Sequence, residues 1–162
     1  MKKLISSIVL GCILIFGIWS SSSAQLISKK SLSLDLAKKI AAAAETEAVK
    51  SNFKMVISIV DDGGNLIYFE RMDEAQLGSI EVAIEKAKTS VNFKRPTKAY
   101  EEKVVAGNNA ILSLKNVLPF EGGIPLIVND QVIGAVGVSG GTPQQDGSVA
   151  KAAADYFHSL KY

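Results

Sequence analysis

The stretch Phe120 to Asp146, FEGGIPLIVNDQVIGAVGVSGGTPQQD, admits few folds. Gly122 and Gly123 precede an apolar run from Ile124 to Val128, Asn129 and Asp130 make a polar turn, and Val132 to Val138 return as a second apolar run. This pattern predicts a β-hairpin. Gly134, Gly137, Gly140 and Gly141 remove side chains from the return strand and its exit. Glycine weakens a strand unless a ligand, a helix or another subunit must approach the backbone closely.

The N-terminus reads as a secretory signal peptide. Lys2 and Lys3 precede an apolar run from Leu4 to Trp19, and Ser22 and Ala24 supply small residues for cleavage after Ala24. Residues 25–162 are then the mature chain, a single domain that is periplasmic or secreted, with no stable membrane insertion after cleavage. Of 18 basic residues only Lys2 and Lys3 leave, so the mature chain carries 16 basic and 16 acidic residues. Such a balance gives no cationic excess for nucleic acid. The single cysteine, Cys12, leaves with the signal, so the domain depends on its apolar core and not on disulfides.

Along the mature chain, Ser31 or Ser33 is expected to cap a helix from about Leu34 to Lys50, with Leu36, Ile40, Ala43, Ala44 and Val49 on its apolar face. Met55 to Asp61 and Leu66 to Arg71 flank Asp62-Gly63-Gly64-Asn65, a second hairpin signal. Both strands are apolar on both faces and are expected to be central. Alternation places Ile67, Phe69 and Arg71 on one face. Ser79 is expected to cap a helix from Ile80 to Val91, with Lys86 at the border of its apolar stripe. Pro96 ends that helix, and Thr97 is expected to cap a short one through Lys103. Gly107 to Pro119 suits an irregular turn or a short strand. A last helix is expected over about Gly147 to Leu160. Hairpins alternating with helices make this an α+β domain.

Several chemistries are excluded. With no mature cysteine and one histidine, the usual zinc ligand sets cannot be assembled within one chain, and no metal site is expected. Serine–histidine catalysis would have to use His158, which lies off the apolar stripe of the last helix. The glycines near Ser139 lack the lysine and spacing of a phosphate-binding loop.

A polar set at strand and helix ends remains: Arg71, Asp73, Lys86, Thr89 and Asp146, with the backbone amides around Gly122, Gly123, Ser139, Gly140 and Gly141. Arginine can grip a carboxylate through two parallel hydrogen bonds, and glycine-rich backbone adds donors at no steric cost. The set suits a small carboxylate or a haem propionate. The structural alternative stays open: an Arg71–Asp73 ion pair, a snorkelling Lys86, and Asp146 as the cap of the last helix.

Taken in order, Val60-Asp61-Asp62-Gly63-Gly64-Asn65-Leu66, Arg71-Met72-Asp73, Lys86-Ala87-Lys88-Thr89, Glu121-Gly122-Gly123-Ile124-Pro125 and Ile133 to Gly141 with Asp146 resemble the GlcG/HbpS-like family of haem-binding or haem-degrading domains. The resemblance covers nearly all of the mature chain. It implies a profilin-like three-layer α/β/α sandwich around a five-stranded antiparallel sheet, with the fifth strand between Asn108 and Phe120. It also implies a homodimer, often built up to an octamer, and haem as ligand. For iron the chain offers His158, Met55, Met72, Tyr68, Tyr100, Tyr156 and Tyr162. The acid pairs spaced three apart in some haem-binding members have Glu70 and Asp73 as their nearest match here.

Three functions follow. The first is an exported, oligomeric binding protein for haem or a related small ligand, contributing to haem handling or degradation, with its site near the Arg71–Asp73 corner and the glycine-rich hairpin. The second is an enzyme acting on a small carboxylate or imine, with Lys86 or Asp73 as proton carrier. The third is an accessory protein-interaction module.

Overall fold

The computed structural model describes residues 25–161. The expected signal peptide and Tyr162 lie outside the described residues. The elements in chain order are α1 (Leu34–Lys50), β1 (Val56–Asp61), β2 (Leu66–Arg71), α2 (Ser79–Phe93), α3 (Lys98–Val105), a short 3-10 turn (Asn109–Ser113), β3 (Gly123–Val128), β4 (Gln131–Ser139) and α4 (Pro143–Ser159).

The strands form one antiparallel sheet in the order β2-β1-β4-β3. Helices α1 and α4 pack on one face and α2 on the other, giving three layers. The expected fifth strand is not found: the segment after Asn108 turns as the 3-10 helix and continues through Asn116 at a φ of 60°. β1 is central and buried from Val56 to Val60, but β2 is an edge strand, half-exposed along most of its length. Its polar Tyr68, Glu70 and Arg71 suit an edge and not a core. A bulge in β2 breaks the expected alternation, because Ile59 faces Tyr68 while Val60 faces Leu66. Ile67 therefore joins Tyr68 against the α1/α4 core, and Phe69 packs on the opposite side.

The two faces of the sheet differ in side-chain size. Ile57, Ile59, Val136 and Val138 meet Ile40, Val149 and Phe157 on the α1/α4 side. On the other side Ser58, Ala135 and Gly137 leave little bulk, and α2 comes down close to the sheet. A Cβ at Gly137 would collide with the Ala83 carbonyl oxygen and lie 2.7 Å from the Ala87 nitrogen. The neighbouring Ser58 hydroxyl donates to that same Ala83 carbonyl at 2.9 Å. The object that approaches this glycine is a helix.

Ser33 caps α1, accepting from the Leu36 amide at 3.2 Å. The buried face of α1 is Ala37, Ile40, Ala41, Ala44 and Ala48, with Val49 exposed, so apart from Ile40 the residues that face the core are small. Ser79 does not cap its helix, and Thr97 stands at the N-cap position of α3 without a side-chain cap bond. Ser79 is the first residue of α2, and the Thr97 hydroxyl accepts from the Gly123 amide at 2.9 Å, tying α3 to β3. α4 begins four residues earlier than expected, at Pro143, because Thr142 and Gln145 form a capping box ahead of it.

Gly137→Ala should destabilise the fold by about 3 kcal/mol or more, since overpacking here meets helix backbone that cannot yield. Thr142→Ala should cost about 1 kcal/mol through loss of the cap. Urea denaturation of the two variants measures both and should rank them in that order.

Candidate functional site

α2 carries Ser79, Val82 and Lys86 along the side that overlies the end of β4. Helical spacing of three and four residues puts them in one row. Lys86 is only 2% exposed. Its Nζ lies 2.6 Å from Asp146 Oδ2 and donates to the Val138 carbonyl at 3.1 Å. Asp146 sits in the first turn of α4, and its Oδ1 accepts from the Gly141 amide at 2.9 Å. The Gly140 amide also donates to this carboxylate. Gly122, at a φ of 128°, closes over the pair. A Cβ there would lie 2.9 Å from Lys86 Nζ and 2.5 Å from the Val138 oxygen, so only glycine fits.

Beside the pair opens a cleft of about 300 Å³ between the N-terminus of α2 and the C-terminus of β4. The Ser139 and Ser79 hydroxyls share a hydrogen bond of 3.1 Å on its floor, and Gln76 Nε2 donates to Ser79 at 3.0 Å. Val82, Phe120 and Pro143 supply apolar walls. Phe120 is half exposed, and the loop before it is pinned by Thr89, whose hydroxyl accepts from the Leu118 amide at 2.9 Å.

Of the expected site residues, Lys86, Ser139, Gly141 and Asp146 line this cleft, and Gly122 adjoins the ion pair. Arg71 and Asp73 do not join them. Arg71, Val56 and Ser139 share one row of the sheet, which separates Arg71 from Ser139 by two strand spacings, roughly 10 Å. Arg71 and Asp73 line a separate depression of about 350 Å³ with Glu45, Lys54, Glu70 and Met72. Burial pushes the Glu70 carboxyl above its ordinary value; the hydrogen bond from the Tyr68 hydroxyl opposes that rise and the charge of Glu45 adds to it.

Other expectations need correction. No ion pair joins Arg71 to Asp73 among the described residues. Lys86 does not snorkel, and its carboxylate partner is Asp146, not Asp73. Asp146 lies inside α4 and reaches back to the Gly140–Gly141 loop, while Thr142 is the cap. Three of the glycine-rich amides are taken within the fold: Gly123 donates to Thr97, and Gly140 and Gly141 serve Asp146. Thr89 holds a loop and lies away from the cleft. Gln76, Ser79, Val82, Phe120 and Pro143 were not expected in a site. The helical spacing of Ser79 and Val82 from Lys86 was the signal that pointed to two of these neighbours.

The family described as "haem degrading protein HbpS-like" matches residues 32–155. The chain belongs to this HbpS-like family. The GlcG protein of Escherichia coli K12 is 44% identical over 112 residues, which is 69% of this chain and 84% of that one. Among solved structures, the PduOC:haem complex is 32% identical, covers 78% of this chain and 94% of its own, and superposes with a TM-score of 0.70. A doubly substituted HbpS of Streptomyces reticuli is 26% identical, covers 88% of this chain and 98% of its own, and has a TM-score of 0.76. The HbpS-like domain of this chain thus keeps the three-layer fold around its own buried lysine–aspartate pair.

Burial pushes the Asp146 carboxyl above its ordinary value near 3.8, against the opposing pull of Lys86 and of the Gly141 and Gly140 amides. An acid raised in the fold binds its proton more tightly there than in the unfolded chain. Its contribution to stability is therefore complete below the ordinary value and is lost as pH rises through the raised one. Lys86→Met leaves a buried carboxylate uncompensated and should cost about 3–5 kcal/mol near neutrality. That loss should shrink at acidic pH, where a proton neutralises the unpaired Asp146 carboxyl. Denaturation of Lys86→Met, Asp146→Leu and the double variant at neutral and acidic pH checks this, and the double variant should recover most of the loss.

Proposed function

We propose that this chain is an exported, homo-oligomeric binding protein for haem or a related small ligand. Membership of the HbpS-like family across residues 32–155 carries the reading, and the likeness to the PduOC:haem complex supports it. Export rests on the signal-like N-terminus. Oligomerisation would cover the outer edges of β2 and β3, which have no strand partner among the described residues.

The candidate iron ligands sort by accessibility. Met55 and Tyr100 are buried, and Tyr68 is engaged with Glu70. His158 is exposed and packs edge-on against Phe157, Tyr156 is half-buried in another depression with Lys39, and Tyr162 lies outside the described residues. Met72 is half-buried in the depression that holds Arg71 and Lys54. The Arg71 guanidinium could take a propionate, Lys54 is paired with Glu74 at 3.7 Å, and the Met72 thioether, of the type that ligates iron in some haem proteins, accepts from the Met55 amide at 3.4 Å and would have to give up that contact. Bound haem would supply iron redox and ligand chemistry. The work of the chain would be to orient the propionates through Arg71, with Lys54 as the second cation of the depression. The cleft over Ser79 and Ser139 offers no imidazole, thioether or phenol among its lining residues.

Haem titration of the purified protein followed by absorbance should saturate at a defined stoichiometry, with affinity about tenfold weaker in Arg71→Ala, the loss expected for one charge-assisted contact. A titration without saturation would remove the haem reading. Saturation unaltered in both Arg71→Ala and Met72→Leu would remove the site. The exported form should begin at Gln25, as intact mass will show.

A further inference from the structure

The cleft over Lys86 has more hydrogen-bond donors than the protein uses. An ammonium carries three N–H groups. Among the described residues Lys86 gives one to Asp146 and one to Val138, and the third has no acceptor. The serine pair repeats the imbalance. Gln76 donates to Ser79, and the Ser79–Ser139 contact consumes one hydroxyl hydrogen of two. The second has no acceptor among the described residues. Each of these polar atoms already has a partner, and each side of the cleft keeps a hydrogen that an acceptor oxygen could take.

Charge decides which oxygen. Lys86 and Asp146 are 2% and 4% exposed and neutralise one another. An anion placed against them would be a third charge beside a pair that already neutralises itself, and desolvating such a charge is costly. The Gly140 and Gly141 amides are spent on Asp146. A neutral acceptor has no such cost. Val82, Phe120 and Pro143 provide apolar walls for a short carbon skeleton, and about 300 Å³ sets the scale at a few heavy atoms to a small metabolite. An ammonium held in an ion pair is also no nucleophile, so the site binds by hydrogen bonding and forms no imine.

We propose that this cleft binds a small neutral carbonyl compound, such as a hydroxyketone, aldehyde or amide, with its oxygen accepting from the Lys86 ammonium and from the Ser79–Ser139 hydroxyl pair. The site is separate from the Arg71 depression, and its test does not depend on haem.

The experiment is an amide NMR titration of the 15N-labelled protein with hydroxyacetone, and with pyruvate as the anionic three-carbon control. Hydroxyacetone should shift the Val82, Ser139 and Gly141 resonances saturably in the millimolar range, and pyruvate should bind at least tenfold more weakly. Ser139→Ala should weaken hydroxyacetone about tenfold. Val82→Trp, which fills the cleft from a half-buried position, should abolish binding while keeping a folded spectrum. The proposal is overturned by an absence of saturable shifts, by shifts confined to other parts of the fold, by pyruvate binding as tightly as hydroxyacetone, or by binding that survives both variants.

Discussion

The ion pair between Lys86 and Asp146 is the constraint on which the arrangement around the cleft depends. It joins the middle of α2 to the first turn of α4 across the end of β4. Removing two charges from water is costly, and the fold recovers that cost only by giving each group further partners. The Val138 carbonyl supplies one for the ammonium, and the Gly140 and Gly141 amides supply two for the carboxylate. The chain around the pair follows from this. The β4–α4 loop must present its amides inward, and the residue that closes over the pair must lack a side chain, which is why Gly122 stands there.

The sheet is shaped by the same requirement for closeness. Lys86 can reach the end of β4 only if α2 lies low on the sheet, and the small residues of that face allow it. Gly137 and Ala135 on β4 and Ser58 on β1 meet Ala83 and Ala87 on α2. The opposite face is filled by larger aliphatic side chains and Phe157, where two helices share the covering. One sheet thus has a tight polar-ended side that holds a site and a bulky side that supplies most of the apolar burial.

Much of this was legible in the residues. Periodicity and turn chemistry located both hairpins and the helices, and α1 and β2 fall on their expected bounds. Lys86, Ser139, Gly141 and Asp146 were singled out by residue type at element ends and do come together. What was not legible depended on tertiary geometry. Nothing local says that Lys86 turns inward, because the stripe of α2 is wide enough for either orientation. The grouping of Arg71 and Asp73 with Lys86 failed because element ends that are near in the sheet can still open onto different depressions. Ser79 and Thr97 looked like caps, yet their hydroxyls serve Ser139 and Gly123. The early start of α4 was available in Thr142, Pro143 and Gln145, whose capping chemistry outweighs the glycines on either side.

Two of the protein's polar places therefore differ in character: one near Arg71 sets cations among carboxylates and a thioether, and one sets a neutralised, buried ion pair beneath hydroxyls. The second depends wholly on the charge state of the buried pair. A 13C NMR pH titration following the Asp146 side-chain carboxyl tests that most directly. The account predicts a carboxyl that is ionised at neutral pH and titrates above the ordinary aspartate value near 3.8, with the Val82 and Ser139 amides responding in the same step. A carboxyl that titrates at or below that value, with no response from those amides, would contradict it.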